Sequence, residues 1–561
     1  MIAVSMAVIL FILIGQLYFA KKRPQPPEPR PPERTASTPQ APPLPSRETV
    51  QPPNVAVSKV AGSEQETVVE NNLYRIVFSN RGAQAKSWVL KRYKDDQGHP
   101  LDLVNAAGAQ LGLPLGLYTY DEGLRNKLNS ALYVSAAGNA LSPPAELTYE
   151  YVDGGLTVRK TFRFADSYVI GVEVSVTQAG QVVQAFPSWP AGFGDQTVAP
   201  SYAQSRIEYL ADDKVERLAA KKISGGNTLR GPFSWAGVSD QYFAAIFLPE
   251  NPNNAVMVTF RNAITVPKGP KNPNEVNRYE VLGSALGDIT GITRERVFVG
   301  PKDIDVLDSV HANLSPDNPN GPDLRKVVDF GMFSFIARPL FLWLKWTQQH
   351  IVHNWGWAII ILTVVINLAL LPLRISSMKS ALRMQKLQPQ MKAIQEKYKK
   401  YSMRDPRRQE MNSELAELYR REKVNPAGGC LPLLIQMPFL FAFYAMLGVA
   451  IELRQAPFLW LRDLSAPDKM FILPVLIVLS TLFMQKMTPT AGMDPTQQRM
   501  MMFLMPVMLG FFSWSYASGL SVYWITSNLI AMGQQYFMNR TALGREMRAE
   551  MEKRARKKEK K

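Results

Sequence analysis

Two polar side chains four residues apart, Thr363 and Asn367, interrupt an otherwise apolar run, WGWAIIILTVVINLALLPL (355–373), and Arg374 follows it directly. A spacing of four puts Thr363 and Asn367 on one face of a helix. Arg374, seven residues beyond Asn367, lies about 20° away on the same face and roughly 10 Å further along the axis. The run carries no formal charge and, at about 1.5 Å per residue, is long enough to cross a hydrocarbon core of roughly 30 Å. Such polar groups do one of two kinds of work. They bind helices together, a contribution of about 0.6–2 kcal/mol, or they line a wet path through the membrane. This one helix leaves both readings open.

The elements that must position these residues follow from charge and hydropathy. The chain has 561 residues and a formal net charge of +17. The segment 374–424 carries 14 Lys/Arg against 6 Asp/Glu, and 539–561 carries 10 against 4. Both basic segments abut apolar runs, and both are therefore expected on the cytoplasmic side. Anionic lipid and RNA are the surfaces such segments attract; DNA is not an expected partner. The single cysteine, Cys430, rules out an intrachain disulfide, and its place in mid-chain does not suit a lipid anchor. His99, His311, His350 and His353 form no metal-binding pattern, and neither a metal nor a cofactor is expected.

In chain order, 1–20 is apolar, lacks the basic start of a secretory signal, and reads as a membrane anchor. Its only basic flank, KKR at 21–23, lies on the far side from the expected cytoplasmic start, so the native chain is expected to begin upstream of Met1. Twelve prolines fall within 24–53, and 21–64 reads as an extended tether. Residues 65–315 read as β, with runs such as LYRIVFS (73–79), LTVRKTFRF (156–164) and YVIGVEVSV (168–176) divided by NRG and DGG turns. A large antiparallel β-sandwich is expected, and it shows no phosphate loop or nucleophile motif. His99 and His311 are expected on surface loops. Residues 325–350, broken by Pro339 and carrying Arg338 and Lys345, suit an interfacial amphipathic helix. After the apolar run at 355–373, the segment 374–424 reads as a helical hairpin turning at 402–405. Further apolar segments lie at 431–451, 471–486, 500–515 and 518–538, before the basic tail at 539–561. The fold class is a polytopic α-helical membrane protein with six transmembrane helices, both termini cytoplasmic, and a large β domain outside.

Several stretches carry a resemblance. VNPAGGCLPLLIQMPFLFAFYAML (424–447), ELRQAPFLWLRDLSAPD (452–468), QKMTPT with DPTQQRMM (485–501) and SGLSVYWITSNL (518–529) resemble the membrane core of YidC-type membrane protein insertases. FSNRGA (78–83), WAGVSDQYFAAIFLP (235–249) and VGPKD (299–303) resemble the outer domain of their Gram-negative form. The resemblance implies an inner-membrane protein that passes hydrophobic segments from the ribosome or the Sec translocon into lipid. It implies five core helices around a hydrophilic groove, a cytoplasmic hairpin that meets the nascent chain or ribosome, and a non-catalytic periplasmic sandwich similar to sugar mutarotases. Dragging a polar terminus through hydrocarbon costs several kcal/mol per unsatisfied group, and a wet groove shortens that path.

One departure stands out: the groove arginine common in the family aligns here with Asn367. Arg374, nearer the cytoplasm, is the nearest available charge, and Asn367→Arg is expected to be tolerated. Thr363, Gln436, Ser521, Tyr523, Trp524 and Asn528 complete the groove candidates; Ser521, Trp524 and Asn528 share a helical face. Trp524 suits lipid-facing packing equally well. Two other classes compete. A secondary transporter would want intramembrane acids or repeated halves, and the apolar segments hold neither. A membrane-anchored carbohydrate-active enzyme would place catalysis in the β domain, whose deletion would then abolish function.

Overall fold

The computed structural model describes residues 58–95, 97–196, 205–267, 276–312, 321–398, 401, 405–422, 424, 431–487, 495–542, 544–546 and 549. The expected anchor at 1–20, most of the tether, Cys430, part of the hairpin turn and the end of the tail lie outside them. Two compact units divide the chain between Val328 and Asp329.

The first unit is β-rich because its strands alternate in polarity. Val169–Gln178 (VIGVEVSVTQ) buries every second side chain, and Leu156–Phe164 does the same over its first half. These two strands pair at the middle of a ten-stranded sheet, with Ile292–Pro301 on the other side of Val169–Gln178. Two five-stranded sheets accompany it, one built on the long antiparallel ladder of Ala255–Pro267 with Val276–Asp288. The core includes the fully buried Trp88, Trp189 and Trp235. One short pairing departs from the antiparallel pattern, since Glu66–Glu70 pairs in parallel with Ala140–Leu141. That contact joins segments distant in sequence, and no hairpin geometry constrains its direction. Helices α1 (Glu122–Ser130) and α2 (Ile304–Asp308) are capped by Asp121 and Asp303.

The second unit is helical, and α3 (Ser334–His350) opens it. Pro339 lies inside α3 without ending it, contrary to the break expected at that residue. A proline early in a helix removes one backbone bond, and the packing of Leu340, Phe341 and Leu344 outweighs that loss. The opposite side of α3 leaves Phe335, Leu342, Trp343 and Trp346 exposed. Lys345 is buried, with its ammonium 3.9 Å from Glu452.

Asn354 caps α4 (Trp355–Ala369), accepting from the amides of Gly356 at 2.9 Å and Trp357 at 3.3 Å. Gly356 is required by its surroundings, because a Cβ there would fall 2.1 Å from the Phe458 ring. The continuous helix expected over 355–373 is interrupted. At Leu370 the chain bends by 48°, and α5 (Leu371–Lys397) begins with a proline in its first turn. Pro372 has no N–H to give to the carbonyl of Leu368, so the ladder is cut there.

α5 continues into the hairpin and packs on α6 (Arg407–Arg421) through Met384, Leu387, Met391 and Leu418. Then follow α7 (Leu431–Val449), α8 (Ile472–Met487), α9 (Pro495–Ser513) and α10 (Ser518–Arg540). Among the described residues no single helix is long and apolar enough to cross a membrane. Trp355–Ala369 together with Leu371–Ser377 passes that test as a bent pair.

Candidate functional site

The side chains at the centre of the helical unit form a connected polar network. Thr363 is fully buried and donates to the carbonyl of Ile359 at 2.6 Å, within its own helix. Asn367, also buried, donates through Nδ2 to the carbonyl of Thr363 at 2.8 Å and to Ser527 Oγ at 3.3 Å. Its Oδ1 accepts from Arg374 Nη2 at 3.2 Å. Arg374 Nη1 donates to Gln534 Oε1 at 2.9 Å, and Gln534 Nε2 donates to the backbone carbonyl of Asn367 at 3.2 Å. Tyr523 closes the group: its hydroxyl meets Ser527 and Gln436, and its ring stacks on Phe443 with centroids 4.2 Å apart.

The bend makes this network possible. In a straight helix Asn367 and Arg374 would be separated by roughly 10 Å along the axis. Across the 48° turn between α4 and α5 the guanidinium reaches back to the last turn of α4. Ser527 and Gln534 stand seven apart on α10, matching the spacing of Asn367 and Arg374, so the two polar pairs meet in register. Among the described residues no carboxylate lies within ion-pairing distance of Arg374. Its partners are neutral amide oxygens, so the positive charge is solvated by dipoles and not cancelled.

The remaining candidates fall elsewhere. Asn528 donates to Ser480 Oγ at 3.0 Å and to Thr481 Oγ1 at 3.1 Å, both on α8. Ser521 and Trp524 line a small cavity together with Ser513 and Tyr516. The eight candidate positions therefore divide: Thr363, Asn367, Arg374, Gln436 and Tyr523 come together, whereas Ser521, Trp524 and Asn528 turn toward α8 and α9. Ser527, Gln534, Ser480 and Thr481 join these candidates only through the fold. The repeated spacing of seven was the available signal for Ser527 and Gln534.

In the hairpin, Glu414 of α6 accepts from Lys397 Nζ at 2.5 Å and from the Tyr398 hydroxyl at 2.8 Å. These bonds, the lysine's first, hold its carboxyl below the usual glutamate range. They tie α5 to α6 beyond the apolar cluster.

The model of the 60Kd inner membrane protein family matches residues 346–545, and the YidC periplasmic domain model matches residues 66–343. A membrane protein insertase YidC of Syntrophus aciditrophicus is 34% identical over 515 residues, covering 88% of each chain. Its counterpart in Geobacter sulfurreducens is 36% identical over 498 residues, covering 83% of this chain and 85% of that one. A crystal structure of an active YidC insertase with its first transmembrane domain resolved covers 86% of this chain and 94% of its own, at 20% identity and a TM-score of 0.35. The family models and the two relatives define an inner-membrane protein with a periplasmic β-rich domain and a helical C-terminal region. The chain belongs to the YidC family of membrane protein insertases.

Proposed function

We propose that the chain inserts newly made inner-membrane proteins and helps them fold, alone or with the Sec translocon, by passing polar termini along the network of Asn367, Arg374, Gln436, Tyr523, Ser527 and Gln534. The observation that carries this reading is a guanidinium among apolar helices, held by neutral oxygens and without a carboxylate among the described residues. A polar terminus meeting such a network exchanges water for preplaced donors and acceptors, which lowers the desolvation cost of crossing. Burial of the substrate's apolar helix in lipid provides the drive.

The layout that goes with this reading has six spans, at 1–20, 355–373, 431–451, 471–486, 500–515 and 518–538. The last five surround the groove, and both termini are cytoplasmic. The hairpin at 374–424 and the basic tail meet the ribosome, and anionic lipid contacts the same basic segments. The exposed aromatic side of α3 suits the headgroup layer.

The test is reconstitution of the purified protein into liposomes, scoring insertion of a small two-span substrate by protease protection. Insertion well above protein-free liposomes is expected. Insertion no better than that background would overturn the reading.

A further inference from the structure

We propose that Gln534 is a positioning residue that clasps the joint between α4 and the hairpin helix α5, and that an acidic group on a passing segment opens the clasp by taking Arg374. The proposal rests on the insertase reading for its substrate step, but its structural half stands apart from that reading.

The argument begins at the bend. Pro372 removes a rung of the backbone ladder, and a cut ladder leaves carbonyls at the end of α4 in need of donors. The carbonyl of Asn367 receives the amide of Gln534, and the oxygen of that same amide receives Arg374 from the first turn of α5. Gln534 thus holds the last turn of one helix with its nitrogen and the first turn of the next with its oxygen. Asn367 Oδ1 adds a direct tie across the joint. Further along, Lys386 of α5 pairs with Glu546, at the same sequence offset of 160 that relates Asn367 to Ser527 and Arg374 to Gln534. The segment from Ser527 to Glu546 therefore runs parallel to the chain from Asn367 to Lys386, on both sides of the joint.

The clasp is neutral on the Gln534 side, which makes it exchangeable. A carboxylate competes well for a guanidinium held by amide oxygens, because charge-assisted hydrogen bonds are about twice as strong as neutral ones. An acidic residue reaching Arg374 would displace Gln534, and α5 would lose its fixed angle. Arrival of an acidic segment is thereby linked to movement of the hairpin that delivers it.

The experiment uses the full chain in lipid nanodiscs, with Cys430→Ser as background and nitroxide labels at Ser413→Cys on the hairpin and Arg462→Cys in the loop before α8. In the unmodified joint a narrow distance distribution is expected, and Gln534→Leu should broaden it. Gln534→Glu should restore a narrow distribution, because a carboxylate holds Arg374 more firmly even though the donor to Asn367 is lost. In liposomes, Gln534→Glu should slow insertion of a substrate with an acidic outer segment about tenfold, given the stronger bond it must break. A matched neutral substrate should be slowed clearly less, because it has no carboxylate to compete for Arg374. A Gln534→Leu distribution as narrow as that of the unmodified joint overturns the clasp. Equal slowing of both substrates by Gln534→Glu overturns the release step. Absence of any insertion by the unmodified protein would strike the insertase reading alone, since the label distances are read without substrate.

Discussion

At the scale of single residues, Asn367 is distinguished by its connections. Its side-chain amide bonds the Thr363 carbonyl, Ser527 and Arg374, so removing that amide leaves Ser527 and Arg374 each short of a partner, while the Gln534 bond to its backbone carbonyl remains. Asn367→Leu is expected to lower insertion of acidic and neutral substrates alike and to destabilise the helical unit by about 1–3 kcal/mol. Asn367→Ser should be milder. If Asn367→Leu inserts both substrates normally, the residue is interhelical glue and no more. Asn367→Arg, which the sequence suggested would be tolerated, now carries a different expectation. Arg374 already lies 3.2 Å from Asn367 Oδ1, and a second guanidinium there would meet it directly. We expect Asn367→Arg to insert poorly and Asn367→Arg with Arg374→Thr to recover, measured in the same liposome assay.

Glu295 is the corresponding residue in the β unit. It is buried, neither carboxylate oxygen has a hydrogen-bond partner among the described residues, and burial raises its carboxyl well above 4.5. The folded protein therefore keeps a proton that the unfolded chain releases. Stability should fall as pH rises from 4.5 toward the folded value, by at most about 1.4 kcal/mol per pH unit. Below that window both states are protonated and the penalty vanishes. Glu295→Gln should flatten this slope in urea unfolding of the detergent-solubilised protein, and an unchanged slope would assign it to another group.

At the scale of elements, the hairpin and the bent helix differ in what holds them. The hairpin has a small apolar cluster of its own, to which α6 contributes the buried Leu418. Leu418→Ala should remove about 2–5 kcal/mol from that cluster. Because the cluster is local, hydrogen exchange should quicken across α5 and α6 and leave α8 and α9 unchanged; uniform quickening would mean that the hairpin and the bundle unfold together. The start of α4 is held by close approach. Gly356→Ala should force the helix away from Phe458, costing about 1–3 kcal/mol in thermal unfolding.

At the scale of the whole molecule, the excess positive charge is concentrated in two segments, one internal and one at the C-terminal end. The segments 374–424 and 539–561 carry +8 and +6 of the +17 total. If they dock on ribosomal RNA, ribosome association should weaken steeply with added salt as counterion release loses its advantage. Removing 549–561 should weaken sedimentation with ribosomes more than it changes insertion of a substrate supplied after synthesis. Association insensitive to salt would speak against an electrostatic dock. Much of this molecule was determined by sequence alone. The runs at 156–164 and 168–176, rich in branched and aromatic side chains and divided by Gly, Asn and Asp turns, marked strands, because such side chains suit a half-buried sheet. Stretches such as 424–447 and 235–249 pointed to the family. Apolar runs and basic flanks depend only on composition, so they marked the helical region without any fold in hand. What tertiary structure decided was the company of Asn367. Periodicity along a straight helix placed Arg374 on the face of Asn367, roughly 10 Å further along, and says nothing of Gln534 in another segment. The proline-cut bend and the register of α10 bring the three together, since a local ladder break and a long-range packing offset are properties of the folded chain and not of any window of residues.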